Sequence, residues 1–193
     1  MIIVFDLEFT TWDGAQDRGW SGPGEFREIV QFGAVRVDSA TLEITGELDL
    51  LVRPVRNPSL SPFFQELTGI SQADVDARGL PFLTALDQFI DFCAGHYVLS
   101  YGNDMVVVGE NLVLQVPEGR APKRGMPPFV NIRPYVNSLL PMTRGESAGR
   151  IAFAAGLTGA VDREHNALAD CYSIVATLRH LRALGHPLIA VEG

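Results

Sequence analysis

Apolar and polar positions change period several times along the chain, and the changes mark out alternating strands and helices. Residues 2–7 (IIVFDL) are a nearly continuous apolar run, as a strand covered on both faces requires. Residues 28–38 (EIVQFGAVRVD) and 48–54 (LDLLVRP) read as two more strands, the former rich in β-branched residues and the latter closed by Pro54. The turn between Ala40 and Gly46 is short enough for strands two and three to pair antiparallel. Residues 61–71 predict a short helix ending at Gly69, with another beginning near Ser71. Pro81 opens a longer helix at an N1-like position, with Phe82, Leu86, Phe89, Ile90 and Cys93 at helical spacing. Residues 96–102 predict a buried strand and the stretch from Val106 to Leu114 a helix, before a Gly- and Pro-rich loop at 117–128. A short strand at 129–133, two helices over 134–156 and a last helix from after His165 to about Leu184 complete the pattern.

With 193 residues, 47% of them hydrophobic, the chain can bury a full core. No repeat, low-complexity tract or long linker divides it, so a single domain over 1–193 is expected. No apolar run reaches the length of a membrane span, and the opening IIVF is too short and too soon followed by acids to be a secretory signal. Cys93 and Cys171 each lie within an apolar pattern and form no CxxC spacing. Buried thiols in a cytoplasmic protein are the expectation. A net charge of −8 runs against a phosphate-rich partner, yet residues 120–182 hold nine of the fifteen basic residues and only four acids. The first 118 residues hold eighteen acids against six arginines, so charge leaves a nucleic-acid partner open.

The chemistry concentrates at two places. Side chains of a strand alternate between faces, so Asp6 and Glu8 project the same way while Leu7 points into the opposite layer. Two like charges side by side need a counter-charge, and hard ions such as Mg²⁺ or Mn²⁺ take carboxylate oxygens. Near the far end, Asn166 suits a helix N-cap. That placement puts Asp170 in the first turn, where the helix dipole favours a carboxylate, and leaves His165 just outside the helix. An imidazole with an ordinary pKa of about 6.5 can act as a general base at neutral pH. No GKS-type phosphate loop, GxSxG elbow or zinc spacing competes.

Together FDLEFT (Asp6, Glu8), SYGND (Asp104) and HNALAD (His165, Asp170) resemble the three motifs of the DEDDh exonucleases of the DnaQ-like superfamily. The second strand and the ELTGIS segment, residues 66–71, are similar to supporting segments of that family. The SYG wording resembles its RNA-interference and histone-mRNA exonuclease branch. Asp104 is assigned as the middle carboxylate because it alone stands at the strand end, although an ungapped match puts Met105 there. The resemblance implies a ribonuclease H-like α/β fold of three layers. Its mixed five-stranded sheet has the order 3-2-1-4-5, with strand 2 antiparallel and helices on both faces. It implies two Mg²⁺ ions, replaceable by Mn²⁺, about 3.5–4 Å apart. Asp6 would bridge them, Glu8 and Asp170 complete the water-side site, Asp104 hold the second ion, and His165 deprotonate the attacking water. The implied partner is the 3′ end of single-stranded RNA, favoured over DNA, which would lose nucleoside 5′-monophosphates. Phe9 and Leu67 would lie against terminal bases and Thr68 near the terminal sugar. A silent nucleic-acid-binding module, which would have lost a carboxylate or His165, and a DNA-specific repair-type exonuclease are the alternatives. The segment between Thr11 and Glu28, with Trp12, Trp20 and four glycines, is longer than a minimal member needs.

Overall fold

Alternation along the first strand sets the architecture. In the computed structural model, which describes residues 1–116, 119–157 and 165–188, β1 (Ile2–Phe9) directs Ile2 and Val4 into one apolar cluster and Ile3, Phe5 and Leu7 into another. Both of its faces are therefore covered. β2 (Ile29–Val37) pairs antiparallel with β1, and β3 (Ile44–Leu51) antiparallel with β2. β4 (Val98–Ser100) and β5 (Phe129–Asn131) extend the other side in parallel, giving the order β3-β2-β1-β4-β5. Strand order and the opposed second strand are those expected from the sequence.

Seven helices cover the sheet among the described residues: α1 (Pro62–Thr68), α2 (Gln72–Arg78), α3 (Phe82–Cys93), α4 (Asp104–Gln115), α5 (Arg133–Leu139), α6 (Ile151–Ala154) and α7 (Ala167–Ala183). Val136 of α5, Ile151 of α6 and Ile174 and Leu178 of α7 pack with Ile2 and Val4. Leu86 and Phe89 of α3 and Val107 and Val108 of α4 pack with Ile3 and Phe5 on the opposite face. Phe64 and Val75, from α1 and α2, close a smaller cluster over Val30. Gly69 ends α1 in the left-handed region at φ 69°, and Ser71 caps α2 by accepting from the Asp74 N–H, both where the sequence places them. No helix among the described residues is long and apolar enough to cross a membrane.

Some boundaries differ from expectation. β3 begins at Ile44, four residues before the predicted strand, because it is an edge strand with alternating exposed positions at Thr45, Glu47 and Asp49. An apolar-run reading misses such a strand. β1 runs on to Phe9, since Glu8 still pairs with Gln31 and Phe9 with Ile29. The predicted helices over 134–156 become α5, two 3₁₀ turns (Pro141–Thr143 and Ala148–Arg150) and the single turn of α6. Pro81 is the N-cap of α3 rather than its first helical residue.

One glycine governs how closely α7 approaches the sheet. Gly33 pairs with Asp6 across β1 and β2, and a Cβ at position 33 would overlap the backbone of Ala167 and Leu168 in the first turn of α7. Backbone lies directly on backbone there. Gly33→Val is expected to lift this turn, cost about 1–3 kcal/mol of stability and weaken divalent-ion affinity by displacing Asp170. Denaturant midpoints and Mn²⁺ titration check both effects.

Candidate active site

The acids meet in the crevice beyond the carboxyl ends of β1 and β4, where open α/β sheets commonly place their ligands. Asp6 and Glu8 continue the face of Ile2 and Val4 and so point toward α7. Asp170 comes down from the first turn of α7, and one oxygen each from Asp6, Glu8 and Asp170 lie within 4.8 Å of one another. Their exposures are only 7%, 9% and 3%.

Two hydrogen bonds seat that first turn. The Asn166 side chain accepts from the Ala169 N–H at 3.2 Å, the N-cap expected from the sequence. Gln31, beside Glu8 on β2, accepts from the Ala167 N–H at 3.0 Å while donating to Asp49 at 2.8 Å. Below Asp170, a Cβ on Gly149 would overlap its Oδ1, so only glycine leaves the carboxylate its place.

Burial, and then the charges of Asp104, Asp170 and Glu8, push the Asp6 carboxyl well above the usual carboxylate range. Burial, followed by Asp170 and Asp104, does the same to Glu8. Asp104 is also raised by burial, against the opposing effects of the Ser100 hydroxyl, its own backbone N–H and Arg133. A metal-free protein therefore carries crowded acids that resist ionisation together. Hard carboxylate donors and their close spacing fit divalent ions such as Mg²⁺ or Mn²⁺.

Asp104 begins α4 and faces the same cleft, but it is not among the three acids that lie within 4.8 Å of one another. Met105, the residue at the ungapped position, packs instead against the apolar cluster of Leu86 and Phe89. Asp104→Ala is expected to remove activity at ordinary Mg²⁺, and Met105→Ala to cost about 1–3 kcal/mol of stability while activity persists. Rates over a Mg²⁺ series and melting curves separate the two outcomes.

These acids floor a cavity of about 580 Å³, whose walls include Phe9, Leu67, Asp104 and His165. His165 stands just before α7 with φ 58°, a left-handed conformation that a non-glycine residue adopts at a cost. Seven of the eight predicted site residues thus share one cleft. Thr68 does not: its hydroxyl donates to the Phe64 carbonyl at 2.9 Å and accepts from the Ile70 N–H at 3.0 Å. The side chain closes its own helix turn and borders a different depression with Gln31, Asp49 and Asn166. The sequence reading missed Phe63, Arg27 and Ser147, which also line the cleft. Phe63 follows Pro62 by one residue, and the helical spacing of Phe63 and Leu67 along α1 was the signal that could have found it.

A family model described as exonuclease (RNase_T) matches residues 3–178. The chain belongs to this exonuclease family. Within it, ERI1 exoribonuclease 3 of Homo sapiens is 28% identical over 178 residues, 82% of this chain and 49% of that protein. ERI1 exoribonuclease 2 of Mus musculus is 42% identical over 88 residues, 46% of this chain and 12% of the relative. The chain thus spans at most about half the length of these curated relatives. Among solved structures, the nuclease domain of 3′hExo, a DEDDh family member bound to rAMP, superposes with a TM-score of 0.77 at 25% identity, covering 97% of this chain and 94% of that one. The fold is that of the DEDDh exonucleases, in the ribonuclease H-like superfamily, with the expected mixed sheet.

Proposed function

We propose that this exonuclease-family chain hydrolyses single-stranded RNA from a free 3′ end and releases nucleoside 5′-monophosphates. One observation carries the reading: three buried carboxylates converge within 4.8 Å at the floor of a cleft that also holds Asp104 and His165. The similarity to ERI1 exoribonucleases supports RNA over DNA. Two buried free cysteines are consistent with a cytoplasmic setting.

Asp6, Glu8, Asp170 and Asp104 would hold the divalent ions. Bound there, such ions stabilise the attacking and leaving oxygens of an in-line displacement. His165 takes the proton of the attacking water as its oxygen bonds to phosphorus. The bond from phosphorus to the 3′-oxygen of the preceding nucleotide breaks, and that oxygen is protonated by solvent. Phe9 and Leu67 orient the terminal nucleotide from the cleft walls, where stacking is tolerant of base identity.

The test pairs binding with turnover. Mn²⁺ should raise the melting temperature of the purified protein markedly, and a 3′-hydroxyl RNA oligomer should be shortened while its 3′-phosphate counterpart resists. A protein that Mn²⁺ leaves unmoved and that shortens neither oligomer would instead be a silent binding module on this fold.

A further inference from the structure

The segment between Thr11 and Glu28 builds a wall of the cleft that the proposed hydrolysis does not use. Trp12, Trp20 and Arg27 all line the cavity whose floor is the acid cluster. The Trp20 ring meets Phe9 edge-on, with centroids 5.5 Å apart at 62°. The Arg27 guanidinium lies 5.5 Å from the Trp20 ring and 5.9 Å from that of Phe9, and it is ion-paired with Glu110 of α4. The segment is itself tied down. Thr10 donates to the Phe26 carbonyl, Ser61 to the Thr11 carbonyl, Asn57 to the Gly24 carbonyl, and Arg18 bridges Glu25 and the Asp13 carbonyl.

Trp20 is costly for a residue that only pins a loop. Its backbone lies at φ 53°, in the left-handed region where an indole-bearing residue is strained. Its Nε1 is buried with no hydrogen-bond partner among the described residues. Charge sharpens the point. Asp13 and Asp17 line the same wall beyond the four buried acids of the cleft, and Arg27 is paired with Glu110. Among the described residues that line the cleft, acids outnumber cations, which favours a wall that grips a strand through bases rather than phosphates.

We propose that Trp20, braced by Phe9 and Arg27, forms an upstream subsite that stacks a base preceding the terminal nucleotide of a single strand. The inference rests on the proposed exonuclease reading of the same cleft. The subsite makes affinity rise with strand length over the first few nucleotides, and it makes that gain weakly dependent on salt.

The experiment compares a one-nucleotide substrate with a longer one. Wild-type protein, Trp20→Ala and Trp20→Phe are assayed with Mn²⁺ on the p-nitrophenyl ester of thymidine 5′-monophosphate and on a 5′-labelled pentamer. Binding of the pentamer and of a nucleoside 5′-monophosphate is measured in the Asp6→Asn background with and without Trp20→Ala. Trp20→Ala should lower kcat/KM on the pentamer about ten- to a hundredfold more than on the ester, chiefly through KM. It should also flatten the gain in affinity from monophosphate to pentamer, while Trp20→Phe retains most of both. Equal losses on ester and pentamer, or an undiminished gain with length, would overturn the subsite and leave Trp20 as a structural pin. Absence of hydrolysis by wild-type protein would count against the exonuclease reading alone, because the binding comparison is made without turnover.

Discussion

Asp6→Asn is expected to abolish hydrolysis and weaken divalent-ion binding while leaving the metal-free fold intact or more stable. The amide keeps the shape of the side chain but removes one charge from a buried cluster in which Asp104, Asp170 and Glu8 all disfavour ionisation. Each kcal/mol relieved would raise the melting temperature by about 2–4 °C in a chain of this size. The same cluster gives a signed pH dependence. The folded-state pKa values of Asp6 and Glu8 lie well above their unfolded values, so between those limits the folded protein binds more protons than the unfolded chain. Stability from these groups is fully present below about pH 4 and is lost as the pH rises through the raised values. Metal-free wild-type protein should therefore melt at lower temperature as the pH is raised from mildly acidic to alkaline, and Asp6→Asn should show a shallower decline. Mn²⁺ should reverse the decline because it favours the ionised carboxylates. Asp38 and Asp74, held below the usual range by hydrogen bonds from Thr41 and Ser71, act in the opposite sense only at more acidic pH.

His165→Ala is expected to slow turnover by about two to four orders of magnitude while Mn²⁺ affinity stays near that of wild type. The reason is positional. His165 precedes α7, outside the rigid turn that carries Asp170, and lines the cleft beside the acids without belonging to the group whose oxygens converge. Loss of a base that only accepts the water's proton lowers kcat without loosening the ions. Calorimetric Mn²⁺ titration beside single-turnover rates checks the split, and a matched loss of ion affinity would make His165 a ligand.

The sheet was legible because its buried strands announce themselves as apolar runs, and because Asp6 and Glu8 break such a run with a period of two. β3 was legible only in part, since an edge strand shares its alternation with solvent. The first turn of α7 could be read from Asn166 alone, a local signal. By contrast, Gly33 and Gly149 matter because of backbone or side chains that arrive from far along the chain, and no local pattern reports such approach. Burial by itself is equally silent about role. Glu28 is even more buried than the acids of the cleft, yet its carboxylate accepts from the N–H groups of Val55, Arg56 and Asn57 and anchors the turn after β3. Thr68 is ambiguous for a related reason: a threonine near a helix end can serve its own helix or a ligand, and here its hydroxyl bonds to the Phe64 carbonyl and the Ile70 N–H.

Stepwise attack from a free 3′ end by the acid cluster can be followed on end-labelled single strands. With Mg²⁺, 5′-labelled RNA should give a ladder that shortens one nucleotide at a time, 3′-labelled RNA should release its label at once as a mononucleotide, and both reactions should vanish in Asp6→Asn. Cleavage of a circular single strand by the wild-type protein, lost in the same variant, would contradict the account by making the cluster an endonuclease.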